Sequence, residues 1–409
     1  MILLGLVIFA GWIVQQRKIA YARQEYVRVA EAGKAASESG TEGIDQAGAD
    51  TDGDVRKADA EKAETGEVTT AADWNLPSQE EETAAPEETE AVQEDIVLLF
   101  AGDVYLSSHV LSAYEKAGGI SGVLDEGIRK EIEDADIFMV NQEFPFTNRG
   151  TAAADKQFTF RLPPEKVSMM QEMGIDIVTI ANNHILDFGE VGLLDSCQVL
   201  DEAGIPYVGG GENFSRAKQL ETLEAGGMTI GFLGTSRVYM DVSWAAGNSH
   251  PGVFSTYDPT LAIAAIEKAK EQCDYLVVYV HWGVEKETTP KEYQRTMGRQ
   301  YIDAGADLVV GSHPHVLQDI EYYNGKPIVY SLGNFVFGSS IPKTALLKVE
   351  LAPEALSQGR NHVREVSGNI VSGGVVFDDV ELGSDAADGA AKITLIPCTS
   401  SAGYTRLAQ

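Results

Sequence analysis

The sequence predicts a layered α/β domain that begins at Ile96, and three observations predict it. Short apolar runs rich in β-branched residues alternate with longer amphipathic segments, the rhythm of βα units. Five of these runs end in a carboxylate, an amide or an imidazole. The three cysteines, Cys197, Cys273 and Cys398, lie far apart without a CxxC pair, so neither a disulfide framework nor a zinc finger organises the fold. A chain of 409 residues, 44% hydrophobic, is long enough to bury a real core, and packing has to stabilise it.

What precedes Ile96 is different in kind. Met1 to Val14 is an uninterrupted apolar run, followed by Arg17, Lys18, Arg23 and Arg28. We read residues 1–20 as an uncleaved membrane or signal anchor, because no small-residue cleavage site follows the run directly. Taken literally, the positive charges after the run place the rest of the chain in the cytoplasm. The expectation adopted is the reverse, a single-pass protein of the cell membrane with an extracytoplasmic domain, the run being the remnant of a longer segment. Residues 21–94 form the second region. Glu31 to Asp95 carries 20 acidic and 4 basic residues and almost no large apolar ones, so it cannot offset the entropy of ordering and is expected to be a disordered acidic tether. A flexible chain of that length spans about 45 Å. The whole chain has 31 Lys+Arg against 62 Asp+Glu, and the absence of any basic cluster argues against nucleic acid as a partner.

Residues 95–409 make the third region, with core motifs over 96–337 and outer strands over 338–409. The expected strands are Ile96–Ala101, Ile137–Val140, Ile175–Ile180, Met228–Leu233, Tyr275–Val280, Leu308–Val310 and Ile328–Leu332, and later Leu346–Leu351 and Ile393–Pro397. Helices are expected over Pro164–Met173, Val191–Ala203, Pro259–Gln272 and Tyr293–Ala304.

The chemistry sits where strands end. The runs lead into Gly102-Asp103, Asn141-Gln142-Glu143, Asn182-Asn183-His184, His281-Trp282-Gly283 and Gly311-Ser312-His313-Pro314-His315. Carboxyl ends of strands in α/β sheets bind ligands, so these five loops are expected to converge. Taken singly, each has a plain structural reading: Asp103 as a turn carboxylate, Asn182 to His184 as a capped turn, His281 as a core histidine. Their order at successive strand ends points instead to a metal. Imidazole, carboxylate and amide without thiolate suit Zn, Mn, Fe or Co, and two ions about 3.5–4 Å apart could activate water.

The series Gly102-Asp103, Asn141-x-Glu143, Asn182-Asn183-His184-x-x-Asp187-x-Gly189, His281-Trp282-Gly283-x-Glu285, Gly311-x-His313-Pro314-His315 and Ser331-Leu332-Gly333-Asn334-Phe335 resembles the CapA family of bacterial capsule-biosynthesis proteins. The resemblance runs from about Ile96 to Phe337. It implies a calcineurin-like metallophosphatase fold, a four-layer α/β/β/α sandwich, and an association with poly-γ-glutamate synthesis. It further implies one or two divalent ions (Mn, Zn or Fe) on Asp103, Glu143, Asn183, His281, His313 and His315, with Glu143 bridging. His184 is then the general acid or transition-state stabiliser, oriented by Asp187. The chain departs from the wider metallophosphatase pattern at Tyr105, where a histidine ligand is usual; His109 could replace it, or simply begin a surface helix.

Arg161, Trp282, Glu285 and Asn334 are candidate substrate contacts, with Trp282 equally readable as a wall and Glu285 as a solvated side chain. The expected function is a membrane-anchored, metal-dependent hydrolase of poly-γ-glutamate capsule biosynthesis. The alternative is a non-catalytic assembly or export component that binds the polymer or its membrane synthesis machinery. A third possibility, a phosphodiesterase unrelated to capsule, rests on fold analogy alone.

Overall fold

The computed structural model describes residues 94–338, 340–367 and 389–408. The expected anchor, and the tether apart from Glu94, lie outside these residues. Among the described residues no helix is long and apolar enough to cross a membrane.

The chain enters through β1 (Ile96–Val104), followed by α1 (Ser108–Ala117), α2 (Glu126–Glu133), β2 (Ile137–Gln142), α3 (Val167–Glu172), β3 (Ile177–Thr179), α4 (Gly189–Ala203) and β4 (Tyr207–Val208). The four strands lie side by side and parallel. Both faces of β1 and β2 are buried, which is why these strands read as continuous apolar runs rather than alternating ones. Helix α2 starts where the Asp125 side chain accepts from the N–H of Ile128, a cap that also accepts from the N–H of Leu407 near the end of the chain.

A short ribbon pairs β5 (Gly210–Gly211) with β8 (Gly252–Val253). Between them run α5 (Phe214–Ala217), β6 (Glu221–Ala225) and β7 (Met228–Ser236). The second sheet continues through α6 (Thr260–Lys270), β9 (Tyr275–His281), α7 (Glu292–Asp303), β10 (Leu308–Ser312), β11 (Ile320–Tyr323) and β12 (Lys326–Val329), in the order β11-β12-β10-β9-β7-β6. The chain then returns to the first sheet. Strand β13 (Asn334–Val336) lies parallel to the end of β1, and β14 (Ser340–Leu351) runs antiparallel to β1. After α8 (Pro353–Ser357), strands β15 (Val363–Ser367), β16 (Ala391–Ser401) and β17 (Tyr404–Leu407) extend that sheet outward.

Three apolar clusters define four layers. Leu98, Phe100 and Met139 of the first sheet pack against Phe232, Val277 and Val310 of the second, so the sheets face each other. The outer face of the first sheet, through Leu99, Phe138 and Val178, is covered by Val110, Ile128, Met170 and Leu193 from its helices. The outer face of the second, through Leu276, Val278 and Val309, is covered by Ile266, Met297 and Tyr301. The result is helices, sheet, sheet, helices.

The expected strands all form, with shifted ends. Strands β1, β2, β9 and β10 run further than expected, carrying Asp103, Asn141, His281 and Ser312 inside the ladders. Hydrogen bonding to a neighbour already present, rather than apolar character, sets where those strands stop. The run Ile328–Leu332 breaks after Val329, and Leu332 makes only an isolated bridge to Leu317. The expected helix Pro164–Met173 is a 3-10 turn followed by α3. Helices α1 and α2 and the short strands β4, β5, β6, β8, β11, β13, β15 and β17 had no sequence expectation, being short or weakly patterned.

Candidate metal centre

All five expected loops meet at the carboxyl ends of the parallel strands, two sheets contributing to one place. From the first sheet, β1 delivers Asp103, β2 leads into Glu143, and the loop after β3 carries Asn183, His184 and Asp187. From the second, β9 ends in His281, and the loop after β10 carries His313 and His315. Asp103 sits just past a bulge in the pairing of β1 with β2. Gly102 is obligatory there: a Cβ on it would stand 1.8 Å from the carbonyl oxygen of Gly333, whose partner is the Asp103 N–H at 2.9 Å.

Glu143 is the centre of the arrangement. It is wholly buried, and among the described residues neither carboxylate oxygen has a hydrogen-bond partner. One oxygen stands 3.6 Å from His281 Nε2 and the other 3.9 Å from His315 Nδ1. Glu143, His281 and His313 offer ligand atoms within 4.8 Å of one another, and so do Asp103, Glu143 and His315. Burial, reinforced by the Asp103 charge, pushes the Glu143 carboxyl well above the ordinary carboxylate range. An orphaned buried carboxylate is costly unless a cation compensates it, and His313 Nδ1 is likewise without a partner. The residues therefore fit a divalent cation, with no thiolate in the donor set.

The histidines are held in place by strain and by neighbours. His313 (φ 95°) and His315 (φ 57°) both occupy left-handed backbone that side chains other than glycine rarely adopt. His281 Nδ1 meets Ser312 Oγ at 2.9 Å, and its Nε2 lies 2.9 Å from Asn183 Oδ1. Burial, then the neighbouring His313 and His315, lowers His281 well below the usual imidazole value; burial brings His313 down to about 3. Burial would lower His315 too, but the Glu143 and Asp103 carboxylates lift it to about 10. Asp103 accepts from Asn141 Nδ2 at 2.8 Å and from the His313 N–H at 3.3 Å.

Beside this cluster, His184 Nδ1 meets Asp187 Oδ2 at 2.6 Å, and the His184 ring stacks on Phe160 with 4.0 Å between centres. Burial lowers the His184 imidazole below its ordinary value. Lys156 bridges the group: its ammonium donates to Asp187 and to the Asn183 carbonyl, and lies 3.1 Å from His184 Nδ1. Its side chain is only 10% exposed, and burial lowers its pKa. The sequence gives no sign of Lys156, a lone lysine in a polar loop. Asn182 is a capping residue for this loop, accepting from the N–H groups of His184 and Ile185 while its amide donates to Asn141 Oδ1.

The four candidate substrate contacts separate. Trp282 is not one of them: it is fully buried under the helices of the second sheet, donating to the Tyr330 carbonyl at 2.9 Å, because side chains alternate along the chain and the one after His281 faces away. Asn334 faces a protein partner, its side-chain oxygen 2.7 Å from His315 Nδ1. Arg161 is exposed and lies over the Phe188 ring at 4.3 Å. Glu285 is exposed, near enough for its charge to act on both Glu143 and Lys156. Tyr105 stacks on the other face of Phe160, again at 4.0 Å, and His109 is an exposed residue in the first turn of α1.

A family model, Bacterial capsule synthesis protein PGA_cap, matches residues 97–339. The chain is 36% identical over 250 residues to the PGA biosynthesis protein CapA of Bacillus subtilis, covering 60% of this chain and 64% of the relative. It is 31% identical over 258 residues to the capsule biosynthesis protein CapA of Bacillus anthracis, covering 61% and 62%. A probable polyglutamine synthesis accessory protein of Mycobacterium tuberculosis is 32% identical over 210 residues, covering 49% and 55%. The matches thus span less than two thirds of these relatives. With the matched segment containing every loop of the buried cluster, the chain belongs to the bacterial capsule synthesis protein PGA_cap family.

Proposed function

We propose that this chain is a metal-dependent hydrolase serving poly-γ-glutamate capsule biosynthesis, with a metallophosphatase-like fold and a phosphoester or amide-like bond as its target. The observation that carries the proposal is Glu143, buried with both oxygens unsatisfied among the described residues, between two histidine-bearing sets of donors. Family membership and the names of the relatives support the capsule context. Anchoring through residues 1–20 outside the cytoplasm, with the polymer or its membrane synthesis machinery as partner, belongs to the same proposal.

Asp103, Glu143, His281, His313 and His315 would hold the cation, with Asn183 beside His281. A divalent cation bound there polarises the scissile group and acidifies water. The chain's own part centres on His184. Its Nδ1 is taken by Asp187, leaving Nε2 as the nitrogen free to exchange a proton. Burial keeps the imidazole neutral at rest, so it takes a proton from the attacking water and returns it to the leaving oxygen or nitrogen. Asp187 fixes the tautomer, and Phe160 fixes the ring plane.

The test is turnover of a generic phosphodiester and of poly-γ-glutamate by the full chain with added Mn or Zn, beside the double variant His313→Ala/His315→Ala. Metal-dependent turnover lost in the variant is expected. No turnover of either substrate with stoichiometric metal bound would overturn the hydrolase reading in favour of an assembly component.

A further inference from the structure

The two donor sets share Glu143 and each has three histidines and carboxylates, but the first has an amide oxygen besides. Around one Glu143 oxygen stand His281, His313 and the Asn183 amide oxygen. Around the other stand Asp103 and His315; two residues past Asp103, the Tyr105 ring stacks on Phe160, with Phe337 at its edge.

A further oxygen is already at this second set. Asn334 begins β13 and stands opposite Asp103 in the register of β13 with β1. Its side-chain oxygen is 2.7 Å from His315 Nδ1, the same nitrogen that is 3.1 Å from Asp103 Oδ2 and 3.9 Å from Glu143 Oε2. Three oxygens therefore surround one imidazole nitrogen. Ligand atoms bonded to one small divalent ion at about 2.0–2.2 Å stand roughly 3–3.5 Å from each other; the Asp103 oxygen falls in that range, the Asn334 oxygen is nearer and the Glu143 oxygen farther. The simpler role is an acceptor that merely aligns the ring, and metal counting in an Asn334 variant separates the two.

We propose that Asn334 is a ligand of a second divalent cation, giving its side-chain oxygen to a site completed by Asp103, Glu143 and His315. The assignment rests on the metal-centre reading above. Asn334 also mirrors Asn183, so each cation set would combine the shared Glu143, at least one histidine and one amide oxygen.

The test is Mn binding to the full chain by equilibrium dialysis with metal analysis, together with electron paramagnetic resonance. The unaltered chain is expected to take two ions with the broadened spectrum of a coupled pair. Asn334→Ala is expected to take one, with the resolved hyperfine pattern of an isolated ion, and Asn334→Asp to restore the second. Circular dichroism of both variants checks folding, and His281→Ala, which strips the other set, serves as the counterpart. Two ions retained at unchanged affinity by a folded Asn334→Ala would overturn the assignment of Asn334 alone. No Mn bound by the unaltered chain would overturn the metal centre itself.

Discussion

Glu143 and His281 are both wholly buried, and the carboxylate stands 3.6 Å from Nε2, close enough to share a cation and too far to share a hydrogen bond. The relationship is unfavourable in the metal-free chain, since the charge has lost its water and gained no donor.

Replacing Glu143 by Gln should therefore stabilise the metal-free protein while destroying metal binding. The folded chain holds the Glu143 proton more tightly than the unfolded chain, so the unaltered protein should lose stability as pH rises from the ordinary carboxylate range through the raised folded value. Thermal melts from about pH 4 to about pH 8 should show that decline flattened in Glu143→Gln, with Tm higher by about 2–5 °C at the upper end. Mn at about a hundred times its Kd should stabilise the unaltered chain by about 2.7 kcal/mol for each ion bound and leave the variant unmoved. A variant less stable than the parent at high pH would contradict the idea.

Lys156 and Asp187 form an ion pair whose members are 10% and 0% exposed. Lys156→Met leaves the buried Asp187 carboxylate without its cation, holding only His184 and the Phe160 N–H, and urea unfolding should show a loss of about 3 kcal/mol. Adding Asp187→Asn should recover part of it, a coupling visible in a double-mutant cycle. A loss below about 1 kcal/mol, typical of exposed pairs, would mean that water reaches the site.

Phe160 lies between Tyr105 and His184 in a three-ring stack, both separations being 4.0 Å. Phe160→Ala removes two aromatic pairs worth about 0.5–1.5 kcal/mol each. If ring alignment of His184 matters to turnover, kcat should fall with KM unchanged and Phe160→Tyr should restore it. Equal activity in the alanine variant would reduce Phe160 to packing.

Much of the site was legible in the sequence because strand ends are legible. An apolar run that stops at Asp103, Asn141, Asn183, His281 or His313 reports its own carboxyl end, and such ends gather in α/β proteins. Lys156 was not legible, since its burial depends on Trp244 and the loop of Asn183, residues distant in the chain. Trp282 was ambiguous for a related reason: which face of β9 looks to the site is fixed by the second sheet, not by the tripeptide His281-Trp282-Gly283.

By itself, then, the sequence determined the alternation of strands and helices from Ile96, the absence of a disulfide framework, and the set of donors carried to strand ends, because burial and chain direction leave a local imprint. Only the tertiary structure decided that two sheets face each other, that β13 returns to set Asn334 beside Asp103, and that Glu143 is left between two donor sets without a hydrogen bond among the described residues. These depend on pairing between segments over 200 residues apart in the case of Asp103 and Asn334, and no local pattern encodes which distant strand a strand will meet.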